Sequence, residues 1–279
     1  MFETFAYAFG YILNFIYNFI GSYGWAIIIF TILLKAVMLP LTIKQQKTMK
    51  KNAKVQILMK EIQDKYSNDP VRMNQEITEL YKREKISPGC LTSILQIIVI
   101  LSIFFLVSKP LTFMKQIDTN IIQEYTTKMS EEESSKIRYP EIAIIKKYSG
   151  ENENLKINMN FLGLDLSDIP TENLEDLRVY IIPILYIITS FISMKLTSKV
   201  TQTKKENTEE NKKEKKDGEM TQEEMMADMS KNMTYMMPFM TVSIALIAPL
   251  GLALYWFINN LLSIIERIII DKFVKIEEE

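Results

Sequence analysis

The sequence predicts an all-α polytopic membrane protein with five transmembrane helices, a cytoplasmic helical hairpin and an N-terminal interfacial helix. Three observations predict it. The 279 residues are 48% hydrophobic with a net charge of only −1, yet apolar and charged residues fall in alternating blocks rather than being mixed, as in a chain that crosses a bilayer repeatedly. Several of the apolar blocks reach the length of about 20 residues that a membrane helix needs. Finally, Lys and Arg crowd one connection beside the membrane, which sets the orientation.

Residues 1–22 are dense in Phe and Tyr and interrupted by Gly10, Asn14 and Asn18. Aromatics at this density suit the headgroup region, so an amphipathic helix lying on the membrane is expected, with a separate span as the alternative. No basic n-region or small-residue cleavage site marks a signal peptide, and no lipid-attachment Cys follows.

Residues 23–43, YGWAIIIFTILLKAVMLPLTI, form the first span, with Trp25 as an interfacial anchor and Pro40 expected to bend or end its last turn. Lys35 lies inside it. A Lys near the centre of a membrane helix costs roughly 2.5–3.5 kcal/mol on insertion scales. The separation from Lys35 to Lys44 is about 13 Å of helix, whereas a Lys stem reaches only about 6 Å toward the interface. Lys35 therefore either snorkels partway or faces a wet cavity.

Residues 44–88 carry eleven Lys/Arg against six Asp/Glu and read as an antiparallel helical hairpin. One helix is marked by Val55, Leu58, Met59, Ile62 and Tyr66, the other by Met73, Ile77, Leu80 and Tyr81. Asp69 is the expected N-cap and Pro70 the first-turn residue of the second helix. Lys54 and Lys60 belong to a solvated face that also keeps this connection cytoplasmic.

The second span is residues 89–108, with Gln96 at its middle, poised either for an interhelical hydrogen bond or for a polar cavity. Residues 109–176 hold thirteen acidic and eight basic residues and read as a polar extracellular loop. Residues 177–197 form the third span. Residues 198–230, including KKENTEENKKEKKDGE, have almost nothing apolar to bury and read as a charged cytoplasmic linker. The fourth span is 231–248 and the fifth 249–270, separated by a tight turn at Ala248 to Gly251; residues 271–279 form a cytoplasmic tail. The N-terminus is then outside and the C-terminus inside.

The composition also excludes functions. The chain has no His, removing the commonest general base and metal ligand. A single Cys, Cys90, allows neither an internal disulfide nor a multi-Cys metal site. There is no basic excess to imply nucleic acid and no Gly-rich phosphate loop. Neither a metal nor a cofactor is expected.

The ordered set of motifs resembles the YidC/Oxa/Alb family of membrane protein insertases, and in particular its Gram-positive bacterial branch. The set comprises a first span with a cation five residues before Pro40, the hairpin KVQILMKEIQDKY…MNQEITELYKREKISP, the GCL of residues 89–91, FLGLDLS at 161–167, and GLALYW at 251–256 with Asn260. The resemblance covers all five spans in order. It implies an insertase rather than an enzyme, with five helices around a hydrophilic groove that opens to the cytoplasm and to lipid. It implies a cationic groove lined by Lys35, Gln96, Tyr255 and Trp256, with Lys35 where the family has Arg. Nascent membrane proteins, the ribosome, membrane lipids and, in some reactions, the Sec translocon are the implied partners. The hairpin, with Lys54, Lys60 and Tyr81, would receive the nascent chain. Thr92 and Ile97 stand where the family usually has Pro, and Glu266 where it usually has Gln. If both spans are straight, Glu266 lies roughly 9 Å nearer the cytoplasm than Lys35; it is then either within approach of an inward-leaning Lys or, with Arg267, a marker of the water interface. The competing reading is a small transporter or channel with Lys35 and Gln96 on a polar path; the lack of internal repeats argues against it.

Overall fold

The apolar blocks become helices, but two of the expected boundaries change. The computed structural model describes residues 2–67, 69–84, 90–132, 137–201 and 240–273. Most of the expected charged linker (202–230) and the first part of the expected fourth span (231–239) lie outside the described residues, as do residues 274–279 of the tail and the Pro88-Gly89 junction, while residues 198–201 belong to a helix rather than to the linker.

Helix α1 (Phe2–Ile20) buries Ala6, Gly10, Leu13 and Ile16, a three- and four-residue spacing that makes one stripe. That stripe packs on α2 (Tyr23–Lys65) and α4 (Cys90–Ser108). Phe5, Tyr11, Phe15 and Phe19 remain exposed on α1. Gly10 is required by a close approach: a Cβ there would overlap the Phe113 carbonyl, lying 2.6 Å from its carbon.

Helix α2 does not end at Pro40. It continues for 43 residues to Lys65, about 65 Å, so the first span and the first arm of the hairpin are one helix. Pro40 removes a single backbone donor, and the turns on either side keep theirs. The second arm is α3 (Pro70–Arg83), whose first turn is capped by the Asp69 carboxylate accepting from the Arg72 N–H at 3.1 Å, with Pro70 at its start. Val55 and Leu80 are buried between the arms, and the Tyr81 hydroxyl donates to the Met59 sulfur at 3.1 Å.

Residues 109–176 are not the polar loop that their charge count suggested. The described part folds into α5 (Pro110–Phe113), α6 (Thr119–Glu132), α7 (Pro140–Tyr148), two short 3-10 turns and a two-stranded hairpin of β1 (Asn160–Phe161) and β2 (Leu164–Asp165). Charged residues cover the surface, while Leu111, Met114, Ile144, Leu155 and Leu166 join the core. The hairpin turn has positive φ at Leu162 (52°) and Gly163 (82°), the geometry that tight antiparallel hairpins favour. Glu141 is buried and accepts from the Thr112 N–H (2.9 Å) and hydroxyl (2.6 Å). Burial pushes its carboxyl above the usual range, and the Thr112 hydrogen bonds pull the other way.

This cap sits on one end of the helices and satisfies their exposed backbone donors. Tyr23 N–H donates to the Asn158 carbonyl at 3.1 Å. Leu250 and Gly251 N–H donate to the Asp168 and Leu166 carbonyls, each at 2.9 Å. Helices α2, α8 (Ile181–Thr201) and α10 (Leu250–Phe273) therefore start at the cap. Helix α4 and the helical residues 240–247 (α9) end there, so successive helices alternate in direction. Helix α10 packs most extensively on α8 and next on α2.

Among the described residues three helices, Tyr23–Lys65, Leu177–Leu196 and Leu250–Lys272, are long and apolar enough to cross a membrane; Leu95–Ser108 is a shorter apolar stretch. The molecule is a mostly helical, apolar membrane protein.

Candidate functional site

The site lies where the packed half of the bundle gives way to a looser half. On the cap side, Tyr23, Ala26, Ile27, Phe30 and Thr31 of α2 are buried, as are Leu250, Leu252, Ala253, Leu254 and Tyr255 of α10. Beyond Thr31 and Tyr255 both helices become largely half-buried or exposed. Lys35 is one turn past Thr31, at that boundary.

Lys35 reaches across to α10. Its Nζ donates to Ser263 Oγ at 2.6 Å and to Glu266 Oε2 at 3.0 Å. Ser263 and Glu266 are three apart, so they share one face of α10. Ser263 Oγ in turn donates to the Asn259 carbonyl at 2.8 Å, which fixes the lone pair that faces Lys35. The side chains are mostly withdrawn from solvent, Lys35 at 19% and Glu266 at 12% exposure. The charge expected in the first span is thus present with a carboxylate and a hydroxyl set against it. Val37, two residues along α2, points the other way and is 69% exposed.

The remaining residues distribute around this cluster. Asn260 Nδ2 donates to Ser190 Oγ at 2.7 Å, tying α10 to α8. Trp256 is half-buried and its ring stacks obliquely on Tyr186 of α8, with centroids 5.5 Å apart. Tyr255 is buried on the cap side of the cluster. Gln96 is exposed on α4, and its Oε1 is 3.5 Å from Gln45 Nε2, the outer limit of a hydrogen bond. Farther along α2, Lys50 pairs with Asp271 at 2.7 Å, joining the base of the hairpin to the end of α10.

The structure therefore brings Lys35 and Glu266 together and places Trp256 on the same helix some 15 Å away along its axis, at about 1.5 Å per residue. Lys54 and Lys60 are exposed on the hairpin arm, and Tyr81 packs there against Met59; none of these joins the cluster. Sequence reasoning missed Ser263, Asn260's partner Ser190, and the Lys50–Asp271 pair. The signal for Ser263 was its position three residues before Glu266 on an apolar helix, which gives the two one face. Among the described residues no cluster of His, Cys, Asp and Glu could hold a metal ion.

Chemically, the arrangement is a partly buried ion pair whose ammonium also donates to a hydroxyl.

Comparison with known proteins agrees with the motifs. The family model described as "60Kd inner membrane protein" matches residues 15–278. Among curated relatives, a protein named "Membrane protein insertase YidC" from Fusobacterium nucleatum subsp. nucleatum is 40% identical over 96 residues, 34% of this chain and 47% of that protein. One of the same name from Caldanaerobacter subterraneus is 38% identical over 103 residues, 36% of this chain and 50% of the relative. A third, from Pelobacter propionicus, is 42% identical over 105 residues, 37% of this chain and 19% of the relative. The chain thus spans about half the length, or less, of the curated relatives it matches. The family match, in contrast, runs through nearly the whole chain, from α1 to the tail, and the chain belongs to the 60Kd inner membrane protein family, the YidC/Oxa/Alb family that its motifs resemble.

Proposed function

We propose that this protein is a membrane protein insertase of the bacterial cell membrane, lowering the cost of moving the polar tail of a nascent membrane protein across the bilayer. The observation that carries the reading is the Lys35–Ser263–Glu266 cluster, set in apolar helices where the closely packed cap end gives way to a less packed half. Carrying a charge or an unpaired backbone group through hydrocarbon costs several kcal/mol. A wet groove reaching partway through the membrane shortens that path. The client's apolar helix then leaves sideways into lipid, and its burial there drives the reaction without nucleotide hydrolysis.

In this reading five helices enclose the groove: α2, α4, α8, α9 and α10. Their alternating direction supports five crossings, with the cap outside, the hairpin and C-terminus cytoplasmic, and the N-terminus outside. Trp256 and Gln96 contribute to the groove wall, and Tyr255 supports it from the packed side. The hairpin, with Lys54, Lys60 and Tyr81, receives the chain from the ribosome, alone or beside the Sec translocon, and lipid closes the lateral side. The protein is not an enzyme.

The test is reconstitution of the purified protein into liposomes with a single-span client bearing a short polar tail. The expected result is a tail protected from external protease, at a yield well above that of protein-free liposomes. Equal protection in both would overturn the proposal.

A further inference from the structure

We infer that Glu266 is an internal stand-in for a client carboxylate, so that acidic groups pass the site by exchange with it rather than by capture on a free cation. The inference rests on the insertase reading above and adds a specificity-determining residue to it.

An ammonium group has three N–H donors and no acceptor. On Lys35 one donor goes to Ser263 Oγ and one to Glu266 Oε2. Glu266 supplies a full counter-charge at contact distance, so the site presents a dipole to an approaching chain instead of a lone positive charge. The attraction that a lone charge exerts at long range is largely cancelled, since opposite charges 3.0 Å apart offset each other within a few ångströms.

The consequence is kinetic as much as energetic. A lone cation this far withdrawn from solvent would bind a client carboxylate tightly and release it slowly, because release would strand a charge. With Glu266 present, a client carboxylate replaces one of the same chemistry, and on departure Glu266 takes its place again. Gain and loss nearly match, which suits a segment that must pass through. Ser263 holds Lys35 in place during the exchange, since its own proton is committed to the Asn259 carbonyl. A Lys in this position fits the role. Its ammonium is a point donor, whereas the planar fork of an Arg would grip Glu266 through two parallel hydrogen bonds and resist exchange.

The test uses two single-span clients that differ only in their exterior tails, one carrying Asp residues and the other Asn at the same positions. Insertion into proteoliposomes is measured for the full-length protein, for Glu266→Gln, for Glu266→Asp and for the pair Lys35→Gln/Glu266→Gln. The readout is the acidic-to-neutral ratio, so each variant is its own reference. The native protein is expected to give a ratio near one. Glu266→Gln frees the cation, which then holds the acidic tail instead of passing it on, and should lower the ratio about fivefold to tenfold. Glu266→Asp shortens the carboxylate's reach and should give an intermediate value even if the Gln variant folds poorly. The double variant should return the ratio to near one. A Glu266→Gln ratio equal to the native one, in protein that inserts the neutral client, would overturn the inference and leave the insertase reading standing. Failure of the native protein to insert either client would overturn both.

Discussion

Breaking the Lys35–Glu266 pair from one side should cost more than removing both charges. At 3.0 Å and an effective dielectric of about 20, the gross attraction is about 5.5 kcal/mol. Withdrawing the two groups to 19% and 12% exposure consumes a large part of it through lost hydration. The coupling that survives should be about 1–3 kcal/mol. Lys35→Ala strands the Glu266 carboxylate and leaves the Ser263 hydroxyl short of a donor, so it should lose about 2–4 kcal/mol. Glu266→Ala strands the ammonium and should lose a similar amount. The double variant Lys35→Ala/Glu266→Ala should lose less than the sum of the two. The assay is reversible unfolding in mixed micelles, followed by a probe on α10, with the four proteins forming a double-mutant cycle. A coupling within about 0.3 kcal/mol of zero would refute the argument, because the pair would then be a surface contact.

Three further outcomes follow from other parts of the molecule. Gly10→Ala places a methyl group on the Phe113 carbonyl; α1 must shift off α5, and unfolding should show a loss of about 1–3 kcal/mol or more. The Lys50–Asp271 pair is exposed at 34% and 42%, so Lys50→Ala should cost less than about 1 kcal/mol and lose even that in high salt; a larger, salt-independent loss would contradict its surface character. Glu141 has its carboxyl pushed upward from the ordinary 4.5 by burial, so between the unfolded and folded values the native state holds the proton more tightly. Its contribution is therefore fully present below the unfolded pKa and is lost as pH rises through the folded one. Cap stability, read by unfolding across pH, should fall over that window in the native protein and stay flatter in Glu141→Gln.

What was legible in the sequence was whatever physics forces into a pattern. Lys35 and Glu266 stood out because a charge in an apolar helix is costly, and their approach followed from reach along two helices. Asp69 and Pro70 declared the start of α3 because capping uses few residue types. The cap was not legible, for the opposite reason. Thirteen acidic and eight basic residues in 109–176 hid Ile142, Ile144, Ile145 and Tyr148, which are buried on a nine-residue helix too short for its period to register. Pro40 misled because local propensity says that Pro ends a helix, while a helix within a bundle loses only one donor to it. Ser263 went unnoticed since a Ser in an apolar helix usually bonds its own backbone, which it does here with Asn259 while also receiving Lys35.

The central claim is that client tails pass beside the Lys35–Glu266 pair. The most direct measurement leaves the protein unaltered and places a photoreactive residue next to the acidic group of a stalled client tail, then maps the adducts. The account predicts adducts on Lys35 and its α10 neighbours around Ser263 and Glu266. Adducts confined to outward-facing positions such as Val37, with none at the cluster, would contradict it.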